Sequence, residues 1–436
     1  MEKRNRKERS THLKRRGSGY VDDKYDIVFF WKSNDTGIYG RRQDMLVEYL
    51  SRSPKVNRIV HFDYPIPAGF LWSLLNLGKD RKFDQSNQIF FQTLSRLLKL
   101  KDSEKVKNYT FVHILGTGLV GRLLGLFFPK KGRYLEYIAR VLSKNGIGAR
   151  RTVFWVCPRN FDFPEIARAF EPDFIVADVI DDHRTWLEPD SPRAARLTGN
   201  YKEILEISDL VLANTPNLQH SMLAYSDDIY VIPNAGELPD AGETRQRKPK
   251  EIRRLQGPIL GYVGNLSVRI DIDLLEHLAA NRPGWNIVLI GSVHLSKEIL
   301  RRLNVFENVH FLGVKKYTDA RRYIENFDVG IIPHLDNKMT RSMSPLKLYV
   351  YCSLNVPVVT TGIANLAELR DLVYVARDKN DFVKKVELAL KNSSTNKPGT
   401  KHLDLMRENS WEKRAERILS LLDQKLRGAS KDTNVV

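Results

Sequence analysis

Residues 258–275 read PILGYVGNLSVRIDIDLL, a short apolar run followed by a glycine-containing turn and the start of an amphipathic helix. Short apolar runs that alternate with helical patterns indicate parallel strands joined by crossover helices. The same unit recurs on both sides of this stretch. The sequence therefore predicts a doubly wound α/β architecture.

Apolar runs of strand length form two series, separated by a segment of different composition. The predicted strands are 25–31, 58–62, 110–115, 152–156, 174–179, 210–214 and 229–232, and then 258–263, 285–290, 309–312, 329–333, 356–360 and 373–376. Between the two series the chain is rich in Pro, Gly, Glu, Arg and Lys, as is typical of a linker. We therefore predict two Rossmann-like domains that face each other across a ligand-binding cleft.

The predicted domain limits follow from these changes in composition. The chain begins with MEKRNRKERSTHLKRR, a basic block with little apolar content, so we expect residues 1–20 to be a disordered tail. The N-terminal domain is expected at 21–240, the linker at 241–257 and the C-terminal domain at 258–400. Residues 401–436 are expected to form a C-terminal helix and a tail.

The formal net charge of +18 over 436 residues favours anionic partners. Nucleic acid, an anionic membrane leaflet and phosphate-containing substrates would all be attracted. No recognition motif for nucleic acid is present, so we expect no specific nucleic-acid partner. No run approaches the roughly 18 apolar residues of a spanning helix, and no apolar signal region follows the basic tail, which indicates a cytoplasmic protein.

The most apolar stretch, at 111–128, is broken by four glycines and Arg122 and ends in Pro129, Lys130 and Lys131. A helix over 119–128 with these basic flanks would either pack on the core or lie on an anionic membrane surface. Peripheral contact with the inner face of the plasma membrane is therefore one of two interpretations of this stretch.

The turn after residue 263 is a candidate phosphate site. Gly264 and Ser267 let the backbone approach a ligand, a helix start follows, and Arg269 adds a positive charge. An ordinary turn between a strand and a helix is the alternative.

A second candidate lies in SPLKLYVYCSLNVPVV, residues 344–359. Ser344 is expected to cap a helix that Pro345 opens, which places Lys347 in the first turn. A cation there opposes the helix dipole, and an anion bound at the helix start would compensate it. The alternative is a solvated surface lysine.

In the N-terminal half, DVIDDHRTWLEP (178–189) places Asp181, Asp182 and His183 after a predicted buried strand. Open α/β sheets bind ligands at this end of their strands. Two adjacent carboxylates repel each other, so one of them could have the raised pKa of a general base. Helix capping by either aspartate is the alternative.

Two further regions carry candidate residues. His113 precedes a glycine-containing loop and is a catalytic candidate, although a histidine on a strand is more often a core residue. The loop SNDTGIYGRRQDM (33–45) follows the first predicted strand, and either binds the acceptor or is a plain surface loop. Its candidate acceptor residues are Asp35, Tyr39, Arg41 and Arg42, to which His183 is added.

Five segments of the C-terminal half together resemble family 4-like GT-B glycosyltransferases of bacterial surface-polysaccharide synthesis. They are GYVGNL (261–266), NVHFLG (308–313), DVGIIPH (328–334), SPLKLYVYCSLNVPVVTT (344–361) and SWEKRAERILSLL (410–422). The resemblance implies the GT-B fold, in which two Rossmann-like domains face each other and the C-terminal helix returns to the N-terminal domain.

The resemblance also implies that the C-terminal domain binds a nucleotide-sugar donor, with Arg269 and Lys347 on the diphosphate. Relatives usually read K-L-Y-E-Y where this chain has Val350, and that glutamate holds the donor ribose. The residues expected to bind the donor are Gly264, Asn265, Arg269, His334, Ser344, Pro345, Leu346 and Lys347.

The function implied is that of a hexosyltransferase-like enzyme that moves a sugar from a nucleoside-diphosphate sugar to a glycan or lipid-linked acceptor. Asp181, Asp182 and His113 are the catalytic candidates. We expect no bound metal and no permanently bound cofactor, because GT-B enzymes generally need none. A non-catalytic GT-B partner or carbohydrate-binding subunit is the alternative function.

Overall fold

The computed structural model of the chain describes residues 23–70, 85–99, 102–115, 123, 125–240, 246–363, 365–393 and 400–431. The predicted basic tail therefore lies outside the described residues, and so does half of the predicted helix over 119–128. Residues 125–127 form a turn, so the helix prediction is wrong for this part. Within the described ranges, two parallel sheets flanked by helices form two domains with a cleft between them.

The N-terminal sheet has seven strands in the order β4-β2-β1-β6-β7-β8-β9, and every neighbouring pair is parallel. A separate short pair, β3 and β5, lies outside it. The strands are β1 (Tyr25–Phe30), β2 (Val56–Phe62), β3 (Ile66–Pro67), β4 (Val106–Tyr109), β5 (Val112–His113), β6 (Arg151–Val156), β7 (Phe174–Val179), β8 (Leu210–Ala213) and β9 (Ile229–Val231).

Helices cover both faces of this sheet, so its central strands are buried along their whole length, as all six residues of β1 show. The helices are α1 (Arg42–Arg52), α2 (Ser86–Leu97), α3 (Tyr134–Lys144), α4 (Phe163–Phe170), α5 (Pro192–Ile207) and α6 (Pro216–Met222). Short 3-10 helices occur at Lys131–Arg133 and His183–Trp186.

The C-terminal sheet has six parallel strands in the order β12-β11-β10-β13-β14-β15. They are β10 (Ile259–Val263), β11 (Asn286–Ile290), β12 (Val309–Gly313), β13 (Val329–Ile332), β14 (Val358–Thr360) and β15 (Val373–Val375). In both sheets the strand order reverses beside the first strand, at β1 and β10. Ligands of doubly wound folds bind at such switch points.

The C-terminal helices surround this sheet and then return across the molecule. They are α7 (Lys250–Arg253), α8 (Ile272–Asn281), α9 (Lys297–Asn304), α10 (Tyr317–Ile324), α11 (Lys338–Arg341), α12 (Leu346–Ser353), α13 (Lys379–Ser393), α14 (Thr400–Glu408) and α15 (Trp411–Lys431), with a 3-10 helix at Ala367–Leu372. Helix α7 lies inside the segment predicted to be a linker. No described helix has both the length and the apolar character needed to cross a membrane.

One predicted strand is wrong. Residues 110–115 were expected in the main sheet, but the strand at that edge is β4, and the chain then bends so that β5 pairs with β3. β4 is half-buried and carries Lys107 and Asn108. An edge strand lacks the continuous apolar run that marks a buried parallel strand, so the pattern pointed to the following apolar residues instead.

Helix α15 belongs to the core of the N-terminal domain, although it follows the C-terminal domain in sequence. Trp411, Ile418 and Leu422 are buried against apolar side chains of β1, β6 and α1. The start of α15 is fixed to the segment that follows β9, since the Trp411 amide donates to the Gly236 carbonyl and the Gly236 amide donates to the Asn409 carbonyl. This helix therefore ties the two domains together.

We predict that Trp411→Ala lowers the free energy of unfolding by about 3–5 kcal/mol, because it removes a fully buried aromatic ring. Lys413→Ala is the control, since the exposed Lys413 side chain pairs with Glu416 of the same helix, and a change within about 0.5 kcal/mol is expected. Urea denaturation measures both. Equal stability of the two variants would contradict the packing described.

Candidate active site

A cavity of about 470 Å³ lies between the domains, at the carboxyl ends of β1 and β10. Each domain contributes the residues that follow its first strand: Trp31 and Lys32 on one side, Gly264 and Asn265 on the other. All the residues predicted to bind the donor line this cavity. It is therefore the candidate active site.

Lys347 is a half-buried cation on the C-terminal wall. Its Nζ lies 4.9 Å from the centre of the Tyr262 ring, and its side chain passes Gly264 so closely that a Cβ there would lie 3.3 Å from Cε. Gly264 has φ of +149°, a conformation that also favours glycine. The glycine predicted from the turn therefore makes room for the lysine predicted from the helix.

Burial, followed by repulsion from Arg269, lowers the pKa of Lys347 to about 7. Arg269 itself contacts Ser267, to whose Oγ its Nε donates at 3.2 Å, and lies 5.9 Å from the Trp186 ring of the other domain. Neither cation forms an ion pair with a carboxylate in the part of the chain that the structure describes. The two cations thus converge on a space that suits an anion.

The N-terminus of α12 meets the same space. Helix α12 begins at Leu346 and its N-cap is Pro345, with no side chain capping it. The prediction that Ser344 caps this helix is wrong, because extended Pro345 stands between Ser344 and the first helical residue. The Ser344 carbonyl instead accepts a hydrogen bond from Asn234 Nδ2 at 2.9 Å. Lys347 does lie in the first turn, as predicted.

His334 lies beneath the two cations as a buried ring. Burial and the charges of Lys347 and Arg269 hold the pKa of His334 well below its usual value, so the ring is neutral. Its Nε2 lies 3.3 Å from Tyr262 Oη, which also donates to the Asn265 carbonyl at 3.3 Å. His334 therefore adds a hydrogen-bonding group to this wall without adding charge.

Asp181 faces the cations from the N-terminal domain. Its φ of +60° places a residue other than glycine in the left-handed region, which is uncommon and often marks a functional residue. Burial raises the pKa of Asp181, and the charges of Lys32 and Arg269 oppose that rise. The carboxyl group is thereby moved toward the pKa of a general base.

His183 connects Asp181 to Lys32 through hydrogen bonds. Its Nε2 lies 3.0 Å from Lys32 Nζ, and its Nδ1 lies 3.0 Å from Tyr201 Oη, which in turn donates to the Asp181 carbonyl at 3.4 Å. Burial, with Lys32 nearby, holds the pKa of His183 well below its usual value. A neutral ring can accept from Lys32 at Nε2 and donate from Nδ1.

Two of the three catalytic candidates lie away from the cavity. Asp182 caps the 3-10 helix at His183–Trp186 and accepts hydrogen bonds from Arg184 Nε and Nη2, each at 2.8 Å. His113 is 3% exposed on β5, where its nearest polar partner is the Ile114 carbonyl. The structure therefore brings only Asp181 of these three to the cavity.

Some residues of the candidate acceptor loop line the cavity, and others make structural contacts within the N-terminal domain. Tyr39 and Arg41 line the cavity, whereas Asp35 lies behind them and forms an ion pair with Arg41. Arg42 borders the cavity but is only 3% exposed, because its guanidinium binds Asp178 at 3.0–3.1 Å and the Ile232 carbonyl at 2.8 Å. Arg42 thus holds the domain together and is not available to a ligand.

Several residues of the cavity wall were not predicted from the sequence, among them Lys32, Arg159 and Trp186. Lys32 and Arg159 follow the central strands β1 and β6 by two and three residues. Because ligands bind at the carboxyl ends of strands beside a switch point, a search for charged residues at these two positions would have found them. Val350, where relatives usually have a glutamate, also lines the cavity and is 8% exposed.

The C-terminal domain matches a known protein family. Residues 257–392 match the family model described as Glycosyl transferases group 1. A Bacillus subtilis (strain 168) protein named as the teichuronic acid biosynthesis glycosyltransferase TuaH is 20% identical over 264 residues. That alignment covers 57% of this chain and 64% of the relative, so it spans less than two thirds of the relative's length.

Solved structures resemble almost the whole chain. A structure described as trehalose-6-phosphate from E. coli bound with UDP-2-fluoro glucose has a TM-score of 0.59, and Anabaena Alr3699/HepE in complex with UDP-glucose has 0.57. Each is 12% identical and covers 92% of this chain and 99% of its own. The likeness confirms the two-domain fold that the sequence predicts, and nothing in these comparisons favours the non-catalytic alternative.

The lowered pKa of Lys347 has a measurable consequence for stability. An unfolded lysine titrates near pH ~10.4, so between pH 7 and that value the unfolded chain binds more protons and stability rises with pH. Between pH 7 and 9 we expect this to add about 2 kcal/mol to the free energy of unfolding of the native chain. Lys347→Met should lack this increment and should be the more stable protein at pH 7.

Urea denaturation at the two pH values measures the difference between each variant and the native chain. Lys338→Met, which removes an exposed lysine of α11, is the matched control and should differ from the native chain equally at both pH values. If Lys347→Met behaves like this control, the lysine is not desolvated as described.

Proposed function

Because this chain belongs to the GT-B glycosyltransferases, we propose that it moves a sugar from a nucleoside-diphosphate sugar to a hydroxyl group of a glycan or lipid-linked acceptor. The proposed setting is bacterial surface-polysaccharide synthesis, because the name of the relative from Bacillus subtilis refers to teichuronic acid biosynthesis. UDP is the first nucleotide to test, since the E. coli and Anabaena structures contain UDP-sugars.

The observation that carries this proposal is the convergence of Arg269, Lys347 and the N-terminus of α12 on one space. A sugar diphosphate would place its negative charge there, and the charge grows as the bond between the anomeric carbon and the phosphate oxygen breaks. Preoriented cations and helix-terminal amides stabilise such a developing charge. The anion would also raise the pKa of Lys347 again and keep it protonated.

Asp181 is the proposed base on the acceptor side. It lines the same cavity as the cations and has a raised pKa, so it is suited to take the proton of the attacking hydroxyl. Lys32, through His183 and Tyr201, holds the backbone around Asp181 in its left-handed conformation. Tyr39 and Arg41 are the proposed contacts to the acceptor.

Membrane contact is proposed for an exposed apolar turn of the N-terminal domain. Leu126 and Phe127 are each 78% exposed, and Lys130 and Lys131 follow them in the chain. Exposed apolar side chains beside lysines fit the boundary between headgroups and acyl chains of an anionic leaflet. Contact with the inner face of the plasma membrane would bring the cavity to a lipid-linked acceptor.

We expect Arg269→Ala and Lys347→Ala each to lower the rate of sugar transfer at least 100-fold, because each removes one preoriented cation that would stabilise the charge of the leaving diphosphate. Asp181→Asn should lower kcat 100-fold or more while leaving UDP affinity nearly unchanged. Arg341→Ala is the matched control, because the Arg341 side chain is exposed and pairs with Asp336 outside the cavity lining. Its rate should equal that of the native chain.

Mass spectrometry of products from a panel of nucleotide sugars and lipid-linked acceptors measures these rates. Turnover that is unchanged in both Arg269→Ala and Lys347→Ala would refute the donor site.

For the membrane, we expect the double substitution Leu126→Glu and Phe127→Glu to reduce binding to vesicles of phosphatidylglycerol and phosphatidylethanolamine several-fold, because two charged groups would enter the interface. Val305→Glu, at a 72% exposed position of the C-terminal domain, is the matched control. Cosedimentation measures the bound fraction. Equal binding by both variants would refute the proposal that this turn contacts the membrane.

A further inference from the structure

The lining of the main cavity carries many more cations than carboxylates. Among the described residues, Asp181 is the one carboxylate that lines it. The cationic side chains in the lining are those of Lys32, Arg41, Arg42, Arg159, Arg269, Lys315 and Lys347. Such an excess of one sign in a cleft attracts ligands of the opposite charge.

Carboxylates outside the lining neutralise three of these cations. The ion pairs are Arg41 with Asp35, Arg42 with Asp178 and Lys315 with Glu251. The remaining cations form no ion pair with a carboxylate in the described parts of the chain. Two of them, Arg269 and Lys347, are the proposed contacts to the donor diphosphate. Lys32 and Arg159 are therefore left without an anionic partner once the donor is bound.

Lys32 and Arg159 belong to the N-terminal wall, on the same side as Asp181. These three residues follow β1, β6 and β7 by two, three and two residues, and β6 lies between β1 and β7 in the sheet. Neighbouring strands are about 4.8 Å apart, so the three strand ends lie within roughly 10 Å of one another. A molecule whose hydroxyl group reaches Asp181 thus brings its other substituents to the two cations.

Lys32 is held in place by its neighbours. Its Nζ lies 3.0 Å from His183 Nε2 and 5.3 Å from the centre of the Trp31 ring. A lysine ammonium has three N–H donors, so donors remain for a ligand after the bond to His183. Burial first, and then the charges of Lys32 and Arg159, lower the pKa of His183, so both cations lie near this one ring.

Arg159 complements Lys32 with a different geometry. Its side chain is exposed in the lining of the cavity, and its guanidinium makes no hydrogen bond with another described residue. The planar fork of a guanidinium matches the paired oxygens of a carboxylate or a phosphate. One fixed ammonium and one accessible guanidinium therefore suit a single acidic group between them.

We propose that Lys32 and Arg159 form an anion subsite of the acceptor, which binds an acidic group, a carboxylate or a phosphate, on the sugar unit that receives the transferred sugar. This inference deepens the proposed function and rests on it for the word acceptor. An acidic sugar unit forms charge-assisted hydrogen bonds with both cations, whereas a neutral one leaves them without a counter-charge. The subsite thus selects acidic acceptors.

The test is saturation-transfer NMR on the full chain with UDP present, so that nucleotide occupies Arg269 and Lys347. The probes are glucose and galactose, their uronates and their 1-phosphates. We expect at least one acidic probe to bind about tenfold more tightly than its neutral parent. Preference for a uronate identifies a carboxylate as the acidic group, and preference for a 1-phosphate identifies a phosphate.

Lys32→Gln and Arg159→Gln should each remove most of this preference, because each replaces a cation by a neutral amide of similar polarity. Arg341→Gln is the matched control, since the exposed Arg341 pairs with Asp336 outside the cavity lining, and it should keep the native preference. Arg159 is exposed, so Arg159→Gln should melt at the native temperature and decides the test even if Lys32→Gln does not fold.

Equal binding of acidic and neutral probes, or a preference that survives in both variants, would overturn the proposal. So would a loss of UDP affinity in the two variants without a change in the binding of acidic sugars, because the cations would then serve the donor. UDP affinity of the native chain reports separately on the proposed function. A preference for acidic sugars that depends on Arg159 in a chain that binds no UDP would uphold the anion subsite and refute the donor site.

Discussion

The burial of Lys347 on the same cavity wall as Arg269 is the constraint on which the rest of the cleft depends. Burial first, and then the charge of Arg269, disfavour the protonated lysine, and the lowered pKa of Lys347 expresses that cost. The diphosphate of the proposed donor would offset that cost. Surrounding residues serve this arrangement: Gly264 makes room for the lysine side chain, Tyr262 packs on it, and neutral His334 adds a polar group without further charge.

The topology of the two sheets brings these side chains to one cleft. Both sheets reverse their strand order beside the first strand, so the segments that follow β1 and β10 open toward the cleft. Helix α15 fixes the two domains to each other, because it leaves the C-terminal domain and completes the core of the N-terminal one. The backbone topology thus forms the cleft, and a few residues at the ends of the strands determine its chemical character.

The sequence predicted the parts of this arrangement that leave a local pattern. Buried parallel strands such as β8 and β10 are continuous apolar runs. The cavity wall that carries Arg269 and Lys347 follows from a glycine turn and a lysine in the first turn of a helix. Edge strand β4 was missed because its exposed face is polar. For Asp182 the sequence left capping and catalysis open, and the structure shows the cap, together with a hydrogen bond from Arg184. The structural role of Arg42 could not be read from the sequence, since it depends on Asp178 lying within hydrogen-bond distance in the folded chain. Lys32 becomes recognisable only once β1 is known to be central.

A crystal structure of the chain bound to UDP tests the proposed donor site most directly. We predict that both phosphates lie at the start of α12, with Lys347 Nζ and the Arg269 guanidinium within hydrogen-bond distance of their oxygens. A nucleotide whose phosphates bind elsewhere in the cleft, with the two cations still facing solvent, would contradict it.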